Sequence, residues 1–175
     1  VTAYYGSAPA WGEDLELDRD IPLLWLGKIG TPRRKRILGQ VRAELETRGV
    51  EMMVVDGVEH PYVFGEERTR LLNRTKIILN VSRESWEDSS LRYFIVAPNK
   101  AMIITEPTLP HTPFVDGIHL VESPVGEMAN TICHYLDHEE ERKAITEQAY
   151  RLVTEELTMK RSVEKILERV PRRRS

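Results

Sequence analysis

Short apolar runs alternate with helical patterns along most of this 175-residue chain, and that alternation limits the folds the chain can adopt. Each run is apolar on both faces, which is typical of strands that a parallel sheet buries on both sides. Right-handed crossovers between such strands predict an α/β fold, a Rossmann-like three-layer parallel sheet with helices on both faces. The predicted strands are Leu23–Leu26, Met52–Val55, Lys76–Val81, Ala101–Thr105 and a shorter Gly117–Val121.

Apolar residues spaced three and four apart predict helices between and after these strands. Gly49 and Pro98 are expected to end the first and the third helix. The predicted helices span residues 33–48, 66–73, 89–97, 126–136, 139–157 and 158–170. Strands and helices therefore alternate until three helices close the chain.

The two ends of the chain carry no such pattern. Residues 1–20 hold glycines, a proline and five acids without a sustained period, and we expect them to be a linker or the tail of a preceding domain. Residues 21–170 are expected to form one Rossmann-like domain, and residues 171–175 a short, solvated basic tail. Because Val1 is not an initiator methionine, the chain is expected to be a piece of a longer protein.

Composition excludes several classes of protein. The formal net charge of -3 offers no overall basic field for nucleic acid, and no apolar run reaches the ~18 residues of a membrane span. A single cysteine, Cys133, excludes an internal disulfide framework and a cysteine-based zinc site, and it fits a reducing, cytoplasmic setting. His134 and His138 lie four apart on a predicted helix, but the sequence shows no third ligand, so no metal is expected.

The exit of the first strand has the features of a phosphate site. Gly27 and Gly30 allow a ligand to approach the backbone closely, while Lys28 and Arg33 add two cations before a helix begins. The alternative is that Arg33–Arg36 is only the solvated start of that helix. The Gly-x-Gly-x-x-Gly and phosphate-loop patterns are absent, which counts against ordinary nicotinamide binding and nucleoside triphosphatases.

The exit of the third strand predicts a second anion site. Asp88 or Ser89 is suited to cap the next helix, and the N–H groups of Ser89, Ser90 and Leu91 are then expected to face the strand-end crevice. Glu87 is expected at the lip of that crevice. The alternative is a capping segment that merely exposes its acids.

In order and spacing, these motifs resemble the C-terminal, donor-binding domain of GT-B glycosyltransferases, especially the spore-maturation-type group and related retaining enzymes. The resemblance covers about Pro22–Val170. In that family a Gly-Arg or Gly-Lys pair ends the first strand and a cation follows five residues later, as Gly27-Lys28 and Arg33 do here. A family motif of two glutamates with seven residues between them falls on Glu87 and Ile95.

The resemblance implies a nucleoside diphosphate sugar as the donor substrate and no cofactor or metal. Glu87 would contact the donor sugar, and Lys28 and Arg33 would stabilise the charge of the leaving diphosphate, so these three are the implied catalytic residues. The acceptor would be held by an N-terminal domain of the same parent chain. The implied donor-contacting set is Gly27, Lys28, Gly30, Arg33, Glu87, Ser89, Ser90 and Leu91.

Two departures from the family pattern leave the function open. Ile95 stands where the second glutamate would take the ribose hydroxyls, and Asp88 brings a negative charge towards the diphosphate. We therefore expect either the donor-binding half of a glycosyltransferase, inactive by itself, or a degenerate glycosyltransferase-like binding or assembly module. A third alternative is a phosphosugar enzyme of the same two-domain shape, such as a nucleotide-sugar epimerase.

Overall fold

A single parallel sheet forms the centre of the molecule. The computed structural model describes residues 6–84, 86–87, 90–107 and 113–169. Within them, five strands pair in the order β2-β1-β3-β4-β5, and every pairing is parallel. The strands are β1 (Ile21–Leu26), β2 (Met52–Val55), β3 (Thr75–Asn80), β4 (Met102–Thr105) and β5 (Val121–Glu122). The predicted α/β class is confirmed.

In the described part of the chain, six α-helices connect and follow the strands: α1 (Pro32–Glu46), α2 (Gly65–Asn73), α3 (Ser90–Val96), α4 (Met128–Asp137), α5 (Glu139–Arg151) and α6 (Met159–Leu167). A π-helical turn over Leu152–Glu156 continues α5. The predicted strand Gly117–Val121 is wrong in its bounds, because Gly117 has a φ of 72° and begins a turn. The strand itself is confined to two residues.

Two apolar cores lie on opposite faces of the sheet. The alternation of side chains along β1 sends Leu23 to one face and Leu24 to the other. The first face is covered by α1 and α4, and the second by α2, α3 and the end of α5. Both leucines are fully buried, and burial of such a side chain contributes about 1.5–3 kcal/mol. The predicted three-layer arrangement is confirmed.

Residues 6–20 run along the amino-terminal ends of the strands and are bonded to the domain. Arg19 donates hydrogen bonds to the carbonyl oxygens of Leu72, Thr75 and Asn99, with the shortest at 2.7 Å. These carbonyls flank the starts of β3 and β4. The segment therefore forms part of the structure of the domain, and its role as a link to a further domain stays a prediction.

The strand order creates a crevice at the opposite edge of the sheet. Because β1 lies between β2 and β3, the two crossovers around it run to opposite sides. In sheets of this order, ligands bind at that point, outside the carboxyl ends of the strands. Among the described residues, no helix is both long and apolar enough to cross a membrane.

Candidate functional site

A cleft of about 750 Å³ opens at the carboxyl ends of β1, β2 and β3. Its volume lies in the range of pockets that bind small molecules and cofactors. The strand exits and the beginnings of the following helices supply its walls. The lining includes Gly27, Lys28, Gly30, Arg34, Tyr62, Phe64, Arg68, Arg83, Glu87, Leu91, Arg92 and Ile95.

The two predicted glycines both line this cleft. Gly27 has a φ of 132° and Gly30 a φ of 68°, conformations that side chains disfavour. A Cβ atom at Gly27 would lie 3.1 Å from a guanidinium nitrogen of Arg92. The missing side chain at Gly27 therefore leaves room for that guanidinium.

The structure does not bring Arg33 to Lys28. Lys28 lines the cleft, but the guanidinium of Arg33 donates to the carbonyl oxygen of Ser82 at 2.8 Å and forms a two-pronged ion pair with Glu106. The hydrogen bonds to Glu106 raise the pKa of Arg33 above its ordinary value. Glu106 also accepts from the N–H of Ser82 at 2.9 Å. Arg33 thus fastens the exits of β3 and β4 instead of lining the cleft.

Arg34 is the neighbouring cation that lines the cleft. Only 5% of the residue is exposed. Its guanidinium donates to the carbonyl oxygens of Val81 and Lys28, each at 2.9 Å, and thereby joins the exits of β3 and β1. Another nitrogen lies 3.8 Å from a carboxylate oxygen of Glu87. Burial lowers the pKa of Arg34, and the charge of Glu87 offsets part of that shift.

Arg92 adds a second cation to the cleft. The guanidinium groups of Arg92 and Arg34 lie 4.8 Å and 5.2 Å from the centre of the Trp25 ring. Arg92 donates to the side-chain oxygen of Asn80 at 2.9 Å, and Asn80 is itself held by Thr105 at 2.9 Å. Burial, together with the charge of Arg34, lowers the pKa of Arg92 to about 10. No carboxylate in the described ranges forms an ion pair with Arg92, and its hydrogen-bond partner there, Asn80, is neutral.

Glu87 lines the cleft as an ionised acceptor. Arg83 holds it with a backbone N–H at 2.6 Å and a guanidinium nitrogen at 2.9 Å. Partial burial acts to raise the pKa of Glu87, but these bonds and the charges of Arg83 and Arg34 outweigh it, and the pKa is lowered. Its side chain stays 22% exposed. Its contact with a donor sugar remains a prediction.

The start of α3 faces the same cleft. Asp88 and Ser89 lie outside the described residues, and Ser90 is the first residue of α3. The side chain of Leu91 lines the cleft, as does Ile95 one turn further along. The anion-binding role of the amides at 89–91 therefore stays a prediction, and an apolar side chain occupies the position of the second motif glutamate.

The loop after β2 and the start of α2 add features that sequence reasoning missed. Tyr62 and Phe64 are 43% and 72% exposed, and their ring centres lie 6.4 Å apart. Tyr62 packs over Gly57, where a Cβ atom would approach the ring to 2.5 Å. The Nε atom of Arg68 is buried and, within the described part of the chain, has no hydrogen-bond partner. No local motif marks these residues, because they meet the cleft only through the strand order.

Comparisons with known proteins agree with this geometry. A family described as glycosyl transferase-like matches residues 29–168. TarM superposes with a TM-score of 0.69 at 11% identity, over 89% of this chain and 36% of that chain. The pneumococcal O-GlcNAc transferase GtfA, in complex with UDP and GlcNAc, gives 0.68 at 15% identity, over 96% and 38%. Anabaena HepE, in complex with UDP-glucose, gives 0.57 at 12% identity, over 83% and 39%.

These identities establish likeness of fold alone, and the chain spans less than two fifths of each of those three proteins. A search of curated protein sequences finds no significant match.

Proposed function

This chain belongs to the glycosyl transferase-like family and forms a GT-B-type glycosyltransferase domain, and from that premise we propose that its cleft binds a nucleoside diphosphate sugar. In this proposal the chain is the donor-binding half of an enzyme that transfers the sugar to an acceptor. The observation that carries it is the excess of cations in the cleft. Among the described residues, four arginines and a lysine line it, against one carboxylate, that of Glu87.

The diphosphate is assigned to the floor of the cleft, beside Lys28, Arg34 and Arg92. Arg92 has a neutral partner and a pKa lowered to about 10, so it is a cation for which an anionic ligand would restore a favourable environment. Arg68 adds a buried nitrogen without a partner in the described chain, and such a group costs about 1–3 kcal/mol until an acceptor reaches it. These groups would stabilise the charge that develops on the diphosphate as the glycosidic bond breaks.

The nucleobase is assigned to the aromatic side of the cleft. Tyr62 and Phe64 expose ring faces there, and stacking of a base on an aromatic side chain is worth about 1–3 kcal/mol. Ile95 lies at an apolar margin where the family pattern has a ribose-binding glutamate. Stacking would compensate for part of the lost hydrogen bonds. Because GtfA and HepE were solved with UDP or UDP-glucose, uridine diphosphate is the first nucleotide to test.

The sugar is assigned to Glu87 at the mouth of the cleft. Its carboxylate is ionised and held by Arg83, so its oxygens are positioned to accept hydrogen bonds from sugar hydroxyls. In a two-domain enzyme the acceptor approaches from the facing domain, and closure of the two positions the reactants and excludes water. We therefore expect the isolated chain to bind donor and to transfer no sugar.

The second candidate is a binding module that has lost donor chemistry, and Ile95 is the observation that favours it. The substitution Ile95→Glu restores the family residue. If the cleft still binds donor, the variant should bind UDP at least as tightly as the unaltered chain. Titration calorimetry of both proteins with UDP measures this directly.

The proposal itself is tested with Arg92→Gln and a matched control, Arg151→Gln. Arg151 is an exposed arginine at the end of α5 that does not line the cleft. Loss of a charge-assisted hydrogen bond should weaken UDP binding by about 1.5–3 kcal/mol in the first variant and leave it unchanged in the second. Absence of saturable binding of any nucleoside diphosphate would refute donor binding by this domain.

A further inference from the structure

A pair of histidines lies far along the chain from the cleft residues, at the junction of α4 and α5. His134 lies in the last turn of α4, and His138, four residues on, is the residue between α4 and α5. Their rings stack with centres 4.1 Å apart. The sequence alone offered no third ligand. The fold supplies one, because α5 begins at Glu139 directly after the turn and its first turn brings Glu141 back to the pair.

Three ligand atoms meet at this junction. One atom each from His134, His138 and Glu141 lies within 4.8 Å of the others. The Nε2 atom of His134 and a carboxylate oxygen of Glu141 are 2.9 Å apart. Ligand atoms bound at about 2.0–2.2 Å around one tetrahedral zinc ion are themselves only slightly more than 3 Å apart. Small side-chain rotations therefore suffice to bring all three atoms onto one ion.

A backbone hydrogen bond prepares His138 to bind. Its Nδ1 atom lies 2.7 Å from the carbonyl oxygen of His134. A carbonyl oxygen only accepts, so the proton resides on Nδ1 and the lone pair of Nε2 is directed away from the backbone. Metal-bound histidines are held in the same way, by a hydrogen bond from the second ring nitrogen to a carbonyl or carboxylate. The hydrogen bond that fixes this tautomer is an observation separate from the short distances among the three residues.

The local charges also favour a cation. His134 lies in the last turn of α4 and His138 directly follows it, where the last carbonyl groups give the helix end a partial negative charge. All three side chains are exposed, so water is available for a fourth coordination position.

From this arrangement we infer that His134, His138 and Glu141 form a binding site for a divalent transition metal, with zinc as the ion of first choice. Imidazole ligands suit zinc, nickel and copper, whereas magnesium and calcium require a shell of oxygen atoms. None of the three residues lines the cleft, so the site is separate from the proposed donor site. A bound ion would fasten the end of α4 to the start of α5.

The test uses the purified chain without a polyhistidine tag, titrated with zinc chloride by calorimetry and followed by thermal unfolding. We expect one ion per chain. At a free zinc concentration a hundredfold above Kd, the midpoint should rise by about 5–10 °C for a domain of this size. Magnesium chloride at the same concentration should cause no rise. Failure of zinc to bind saturably, or an equal response to magnesium, would overturn the site.

Single substitutions identify the ligands. His138→Ala and Glu141→Gln should each weaken zinc binding more than tenfold, because each removes one of three protein ligands. Glu140→Gln is the matched control, since Glu140 is an exposed acid in the same turn and no ligand of the site. The ligands are exposed, so the variants should fold, and their unfolding midpoints without zinc report that directly. Unchanged zinc affinity in His138→Ala would refute this assignment.

Discussion

The edge of the sheet formed by the amino-terminal ends of the strands and the edge formed by their carboxyl ends differ in how their polar groups are hydrogen-bonded. At the amino-terminal edge, Asn73 donates to the carbonyl oxygen of Glu13 and to the side chain of Asn99, while Lys100 forms ion pairs with Asp14 and Glu147. Those groups use their hydrogen-bonding capacity within the protein. A network whose polar groups are bonded to one another stabilises one conformation, and its donors and acceptors are not available to a ligand.

At the carboxyl edge the cations are held less completely. Among the described residues, Arg92 donates to the neutral side chain of Asn80 and forms no ion pair, and a nitrogen of Arg68 has no hydrogen-bond partner. Aromatic rings remain exposed beside them. The contrast is the one that the proposed function requires: one edge contributes stability, and the other is the edge at which we propose that a ligand binds.

The largest expected effect lies at the amino-terminal edge. Arg19→Ala removes hydrogen bonds to three carbonyl groups and should lower the free energy of unfolding by about 2–4 kcal/mol. Urea unfolding measures the loss. The UDP affinity of the folded fraction should be unchanged. If Arg19→Ala kept full stability, the bonds at the amino-terminal edge would not contribute the stability that we attribute to them.

The next effect distinguishes Lys28 from Arg33, which the sequence predicts to have the same role at the diphosphate. Lys28→Ala should weaken UDP binding by about 1.5–3 kcal/mol and leave the unfolding midpoint nearly unchanged. Arg33→Ala should leave UDP binding nearly unchanged and lower the unfolding midpoint, because it leaves Glu106 without its ion-pair partner. Calorimetry and thermal unfolding of both variants decide between the roles. Equal losses of UDP affinity would show that Arg33 also reaches the ligand.

A smaller effect is expected on the aromatic side. Phe64→Ala should weaken UDP binding by about 1 kcal/mol, since it removes one exposed stacking surface. Inorganic pyrophosphate has no base, so its binding should not change, and it serves as the control ligand. If pyrophosphate binding fell by the same amount, Phe64 would be acting on the phosphate site instead.

The smallest expected effect is the pH-dependent contribution of Glu87 to the free energy of unfolding. The pKa of Glu87 is lowered in the folded chain from an ordinary value of 4.5, so its stabilising contribution is present above that value and is lost as pH falls through the lowered pKa. Glu87→Gln should therefore reduce stability by about 0.5–1 kcal/mol at pH 7, and the difference should vanish in strong acid. Urea unfolding at both pH values tests this, and a difference that grew with acidity would contradict it.

The sequence predicted the strands well because their signals are local. Met52–Val55 was predicted to the residue, since an apolar run ends there at an Asp-Gly pair. The fifth strand was predicted to begin too early because residues 117–119 form a turn in which Ile118 is exposed. Local patterns do not distinguish a short strand from such a turn.

The sequence pointed to the strand exits that line the cleft but to only some of the lining residues, and their role in binding stays a prediction. The placement of functional groups after β1 and β3 follows from the strand order, but the choice between Arg33 and Arg34 depends on the phase of α1. Arg34 shares the buried face of Leu38, Val41 and Leu45, and that spacing was available in the sequence. Tyr62, Phe64 and Arg68 carried no such signal, because tertiary structure alone brings them to the cleft.

The bonds of Arg34 also have a consequence for the evolution of the family. One guanidinium serves the carbonyl oxygens of Lys28 and Val81 together, and a lysine has a single nitrogen that cannot reproduce both bonds in that planar geometry. Arg33 and Glu106, by contrast, form an ion pair with each other, so the loss of one leaves the other without its charged partner. Among related sequences we therefore expect position 34 to remain arginine, and positions 33 and 106 to change together.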